Sequence, residues 1–184
     1  MGLKEHQEVL GFIRDLQNKI IELEKRVQVL EGSKHKSTSV DLTTFPTPDC
    51  EIQPWITTLQ LEQDQLTMVF THGYIQGMTM ILCEYIEQHN PSPIKPNPSK
   101  KSTFYVYKDQ KWQVLDTTTL EQIIDIVQSK LFKVFKTWKD SNPKYLSDEF
   151  NDIYSKYHQN VMGTKSPKAA TIQRIKTSLY TNLI

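Results

Sequence analysis

The sequence predicts a mainly α-helical chain: an N-terminal parallel coiled coil followed by a compact helical domain with one β-hairpin. Three observations lead there. Apolar residues return every seven positions through the first heptads of the chain. Apolar stripes at three- and four-residue spacing recur in later stretches, as helices that bury one face require. Two β-rich runs, Thr103–Tyr107 and Lys111–Leu115, are separated by a short polar link suited to a hairpin.

The heptad segment covers residues 1–32. With His6 at position a, Ile13, Ile20 and Val27 follow at a, and Val9, Leu16, Leu23 and Leu30 fall at d. β-Branched residues at a with leucine at d favour two parallel strands. Lys19 and Arg26 occupy g, and Glu24 and Glu31 the following e positions. In a parallel, in-register pair each cation therefore meets an acid of the other copy. No Asn or Lys interrupts the a positions from Ile13 to Val27, so a trimer stays open beside the dimer. Leu10, Phe12, Ile21 and Val29 add apolar surface outside the seam. A glycine cap at Gly32 ends the helix.

Residues 33–54 read as a linker, rich in Ser and Thr and carrying Pro46, Pro48 and Pro54. The mainly helical domain is expected over 55–184. Gln60–Thr71 and Tyr74–His89 read as two helices broken near His72-Gly73, and Gly73 with Gly77 makes a GxxxG that permits close backbone approach. Residues 90–102 contain four prolines and read as an extended connector. The hairpin follows at about 103–115, with Lys108-Asp109-Gln110 as its loop.

Asp116 or a following Thr caps a long helix of about Leu120 to Lys139, with Ile123, Ile124, Val127, Leu131, Val134, Phe135 and Trp138 on its core face. Asn142-Pro143 stops it. Ser147 is expected to cap the next helix, which buries Phe150, Ile153, Tyr154, Tyr157 and Val161 and ends at Gly163. Pro167 opens the last helix, with Ile172, Ile175, Leu179 and Leu183 inward.

The chemistry-bearing residues are sparse. Cys50 and Cys83 are far apart and the five histidines are scattered, which argues against a disulfide framework and against zinc. There is no Walker loop, GxGxxG, GxSxG or HExxH. The acids of Pro48-Asp49-Cys50-Glu51 lie too close together for a nuclease motif and lack its lysine. No enzyme activity, cofactor or metal is expected. No apolar run reaches the roughly 18–20 residues of a membrane span, and no signal peptide is evident at Met1–His6.

Charge is segregated although the net is +1: residues 1–36 carry +1, residues 37–94 carry −7 and residues 95–184 carry +7. The −7 and +7 blocks invite either attraction between these parts of the chain or contact of the basic one with a polyanion. The candidate polyanion surface is a lysine stripe: Lys130, Lys133, Lys136 and Lys139 at three-residue steps, then Lys144, Lys165, Lys168, Arg174 and Lys176. Such a stripe neutralises phosphates without reading sequence.

The run Phe104-Tyr105-Val106-Tyr107, Trp112, Phe135–Pro143, Tyr154, Val161-Met162-Gly163 and Ile172-Gln173-Arg174-Ile175-Lys176 resembles a family of uncharacterised coiled-coil proteins of nucleocytoplasmic large DNA viruses, of the mimivirus and phycodnavirus kind. The likeness spans Trp55–Ile184. Many such proteins carry a Cys/His zinc finger ahead of the coiled coil, which this chain lacks. The resemblance implies a viral protein placed in the host cytoplasm, in a viral factory, or in the virion. It supplies no catalytic residues. Together these readings predict a non-enzymatic, homo-oligomeric scaffold or adaptor whose partners are itself and other viral proteins. The alternative is a protein that binds DNA or RNA non-specifically through the lysine stripe.

Overall fold

The computed structural model describes residues 13–27, 40–163 and 167–184. The chain divides into two units, Met1–Ser39 and Val40–Ile184. In the first, residues 13–27 form a helix, α1. Val9, Leu30 and the expected Gly32 cap lie outside the described residues.

The second unit is mainly helical with a small antiparallel sheet. It holds α2 (Ile52–Thr58), α3 (Gln63–Gln88), β1 (Ile94–Pro96), β2 (Phe104–Lys108), β3 (Lys111–Val114), α4 (Thr117–Ser141), α5 (Asn151–Met162) and α6 (Lys168–Leu183). Its boundary differs from the expected one at 54/55. Val40 already belongs to this unit, Pro48 is buried, and Phe45 lies edge-on to Tyr105 and Trp112 at 5.6 and 5.2 Å. Prolines and threonines suggested a linker here, but a single aromatic anchor is enough to fasten the segment to the sheet. Pro54 sits in the first turn of α2, where a missing N–H costs no hydrogen bond.

α3 is bent at Gly73, whose φ of 78° and ψ of 174° lie in a region essentially restricted to glycine. A capping box starts it: the Glu62 side chain accepts from the Gln65 amide while Gln65 Oε1 accepts from the Glu62 amide. The bend folds the arm 74–88 back beside the arm 63–72. A Cβ on Gly77 would stand 2.7 Å from Val69 Cα, so the Gly73/Gly77 pair provides the turn at one end and the close approach at the other. α3 packs on α4, α5 and α6 and forms the centre of the unit.

The sheet has the order β1-β2-β3, one strand more than expected. The proline-rich connector is not merely extended: Ile94, Lys95 and Pro96 pair with Val106, Tyr105 and Phe104. Pro96 has no N–H to donate and is tolerated because β1 is an edge strand. The hairpin turns on two residues, Asp109 and Gln110, both at positive φ (52° and 57°), as a type I′ turn demands. Phe104 and Val106 are fully covered, and Phe104 meets the Tyr180 ring of α6 edge-on. Tyr180 donates its hydroxyl to the Asn97 carbonyl at 2.9 Å, tying the sheet to α6.

α4 follows the expected stripe. Asp116 caps it by accepting from the Thr119 amide at 2.7 Å, and Ile123, Ile124, Val127, Leu131 and Phe135 are buried. Its span extends two to three residues beyond the expected one at each end. Ser147, by contrast, caps no α-helix; its hydroxyl donates to the Lys144 carbonyl inside consecutive 3-10 turns. α5 therefore begins at Asn151, with only Val161 fully buried and Ile153 exposed. The short 3-10 turns shift the helical phase relative to a helix started at Ser147. Gly163 ends α5 in the left-handed conformation, φ 67°.

Candidate functional site

Each candidate residue has a definite place. Ile13, Leu16, Ile20, Leu23 and Val27 lie along α1, and each keeps roughly half of its surface exposed. Heptad spacing places a and d on one side of a helix. Ile21, outside the seam, is exposed as well. On the same helix Lys19 and Glu24 occupy the positions that meet across a parallel pair.

The basic candidates do not act as one stripe. Lys130 donates to the Thr57 carbonyl at 2.8 Å, where it closes the end of α2. Lys168 pairs with Glu121 at 2.5 Å and Asp125 at 3.0 Å, and these two carboxylates raise its pKa. Lys133 and Lys136 are exposed on α4, and Lys139 and Lys176 are partly covered. Lys144 lies over the Tyr145 ring, 5.1 Å from its centroid. Arg174 is exposed on α6 and Lys165 lies outside the described residues.

Attraction between the acidic and basic blocks takes no form of ion pairing among the described residues. The two salt bridges there both belong to Lys168 and both stay within the basic block. The acidic stretch instead spends Glu51 on the Gln110 amide and Glu62 on its own helix start. The charged groups that do bridge the two blocks meet neutral partners, Glu51 the Gln110 amide and Lys130 the Thr57 carbonyl, beside apolar and aromatic packing.

The surroundings of both thiols favour the protonated form. Burial pushes Cys83 up to about 11, assisted by Glu87, and also raises Cys50.

Sequence reasoning missed one concave site, the cleft at the α3 bend. It has a volume of about 450 Å³ and lies between the bend, the end of α5 and the first half of α6. His72, Gln76, Gln159, Asn160, Thr171 and Arg174 line it, together with Gly73, Tyr74, Ile75 and Gly163. The bend removes the helical partner of the Phe70 carbonyl, and Asn160 Nδ2 donates to that oxygen at 3.1 Å.

Behind the cleft stands Tyr74. Its hydroxyl donates to Gln128 Oε1 at 3.2 Å, and Gln128 Nε2 donates to the Met162 carbonyl at 3.1 Å. Burial pushes this phenol up to about 12, with Asp125 adding to the rise, so it remains a neutral donor. A Cβ on Gly163 would come within 2.8 Å of the Tyr74 ring, which explains why the chain turns there on glycine. On the far side of Tyr74 a second cavity of about 300 Å³ shares Tyr74, Gly163 and Thr171 with the first. Thr171 is 6% exposed, and its Oγ1 has no hydrogen-bond partner. An unsatisfied buried hydroxyl costs on the order of 1–3 kcal/mol. The sequence signalled the site only through the GxxxG spacing, Gly163 as a helix end and Arg174 as one of the basic candidates; Gln159, Asn160 and Thr171 gave no signal.

Compared with protein-family models, with curated proteins and with solved structures, the chain matches none. Among the described residues no helix is long and apolar enough to cross a membrane. No cluster of His, Cys, Asp and Glu suited to a metal ion occurs among them.

Proposed function

We propose that the chain is a non-enzymatic, self-associating scaffold or adaptor, in which residues 1–32 form a parallel coiled coil with a second copy and present the Val40–Ile184 unit in duplicate. The observation that carries this reading is the exposure of the α1 seam: Ile20 is 54% and Leu23 58% exposed. Fully covering a Leu, Ile or Val side chain is worth roughly 1.5–3 kcal/mol, and a repeat of such residues along one helix is satisfied by an identical seam. Charge agrees with that occupant, since Lys19 of one copy meets Glu24 of the other only in the parallel register. Duplication makes weak contacts of each globular unit avid.

Leu16→Cys in a Cys50→Ser, Cys83→Ser background tests the register. Position d brings Leu16 of the two copies together, so mild oxidation yields a covalent dimer. A chain that stays monomeric on oxidation contradicts the reading. We further propose, on the likeness read in the sequence alone, that the scaffold acts in a viral factory or particle, which mass spectrometry of purified particles tests.

A second reading, non-specific contact with DNA or RNA, is favoured by Lys133 and Lys136. Both are exposed, and neither makes an ion pair among the described residues. It predicts affinity that falls steeply with salt and weakens in Lys133→Glu/Lys136→Glu. Salt-independent binding, or none, removes it.

A further inference from the structure

Phe132 lies on the solvent side of α4. The helix buries Leu120, Ile123, Ile124, Val127, Leu131 and Phe135 within the unit and leaves Phe132 outside that stripe, 44% exposed. Among the described residues it is the one Phe, Tyr or Trp side chain that is exposed. Phe135, a turn further on, stacks with Trp138 and Tyr154, whereas the Phe132 ring has no aromatic neighbour among the described residues. A single exposed apolar residue is ordinary by itself; the surroundings set this one apart.

Those surroundings are basic. Lys133 is next in the chain and Lys136 is four residues on, the spacing that puts two side chains on one helix face. Both lysines are exposed, and neither makes an ion pair among the described residues. Residues 126–139 hold four lysines and no acid. Of the acids flanking that run, Asp125 is taken by Lys168, and Asp140 pairs with no lysine among the described residues. The face therefore offers a bare ring beside two cations that no acid neutralises.

We propose that this face of α4 binds a single-stranded nucleic acid, with a base stacked on the Phe132 ring and neighbouring phosphates held by Lys133 and Lys136. The inference rests on the second reading above, contact with DNA or RNA, and adds which form is bound and which residue selects it. Lysines neutralise the phosphates of either form. The faces of bases are covered by their neighbours in a duplex and open in a single strand, so an exposed ring adds affinity for the single strand alone. A lipid surface suits the face less well. An interfacial helix sinks a whole apolar side into the membrane, and the apolar side of α4 is buried in its own unit.

The test is fluorescence anisotropy, in graded salt, of the full-length chain with a labelled oligothymidylate of about 12 nucleotides, within common site sizes. A duplex with the same number of phosphates is measured beside it. The single strand is expected to bind more tightly. Phe132→Ala should weaken it about tenfold and leave the duplex unchanged, and Phe132→Trp should restore it. Because Phe132 is exposed, the alanine variant keeps the fold, which circular dichroism checks. Lys133→Gln/Lys136→Gln should lower the slope of log affinity against log salt by about 1.4 for the single strand. Equal binding of both forms, or wild-type affinity in Phe132→Ala, would overturn the inference. The lysine reading would then still stand if Lys133→Glu/Lys136→Glu weakens both forms. Binding of neither form removes both ideas, and Phe132-dependent attachment to phosphatidylserine vesicles without oligonucleotide binding assigns the face to a membrane instead.

Discussion

Helices α1 and α4 both carry β-branched residues and leucines at helical spacing, yet Ile20 and Leu23 of α1 are more than half exposed while Val127 and Leu131 of α4 are completely covered. Periodicity dictates that a helix has an apolar face, and says nothing about what covers it. In α4 the cover is supplied by its own unit, chiefly α2, α3 and α5. In α1 the seam follows a seven-residue repeat, the period that keeps one stripe facing a partner over several turns. The two helices differ in the partner they require, and that difference can be attacked by mutation. All three tryptophans, Trp55, Trp112 and Trp138, lie in the Val40–Ile184 unit, so their fluorescence follows its unfolding alone.

The largest effect is expected from emptying the covered core. Phe104→Ala, at a fully buried position, should lower the urea stability of the unit by about 3–5 kcal/mol. Ile20→Ala should leave that transition where it is. A comparable loss in Ile20→Ala would erase the distinction between the two helices. Next comes Gly77→Val, which forces a side chain against the Val69 backbone and should cost about 2–3 kcal/mol in the same measurement. Gly73→Ala should cost about 1–2 kcal/mol through backbone strain alone, because its Cβ would make only an ordinary contact, 4.0 Å from Asn160 Oδ1, while its φ stays positive.

Removing the cap of α4 with Asp116→Ala should cost about 1 kcal/mol. Hydrogen bonds from the Thr119 amide and hydroxyl hold the Asp116 carboxyl below its usual value of 3.8. A depressed folded pKa contributes stability that is complete above the unfolded value and is lost as pH falls through the folded one. The wild type should thus lose this increment only below about pH 4, and Asp116→Asn, which still caps, should lack that acid step. The smallest effect belongs to Lys168→Met. Its ion pairs with Glu121 and Asp125 are solvent-exposed and screened, so its transition should coincide with that of the wild type.

Much of the helical unit was legible where a residue acts locally. Asp116 announced a cap, Asn142-Pro143 a stop, Gly73 a break and Gly163 a left-handed end, because each is decided within one or two turns of chain. What stayed hidden depends on distant partners. β1 exists because Ile94–Pro96 finds β2 ten residues on, although its prolines argue for a connector. Phe45 fastens a Ser/Thr-rich stretch through contacts with Tyr105 and Trp112 some sixty residues away. Ser147 looked like a cap, but its hydroxyl went to the Lys144 carbonyl, and that choice moved the start of α5. The basic candidates were drawn from the long helix and the segments after it, and folding then tied Lys130 to Thr57 and Lys168 to two carboxylates. The cleft was the least legible feature, since Thr171 and Arg174 join the α3 bend only through tertiary packing.

Sedimentation equilibrium of the intact chain beside Ile20→Lys tests the account most directly. Self-association through the α1 seam predicts at least twice the 21.5 kDa chain mass for the wild type, falling to one chain mass when a charge enters the seam. A wild-type mass of 21.5 kDa at concentrations well above micromolar, or an assembly untouched by Ile20→Lys, would contradict it.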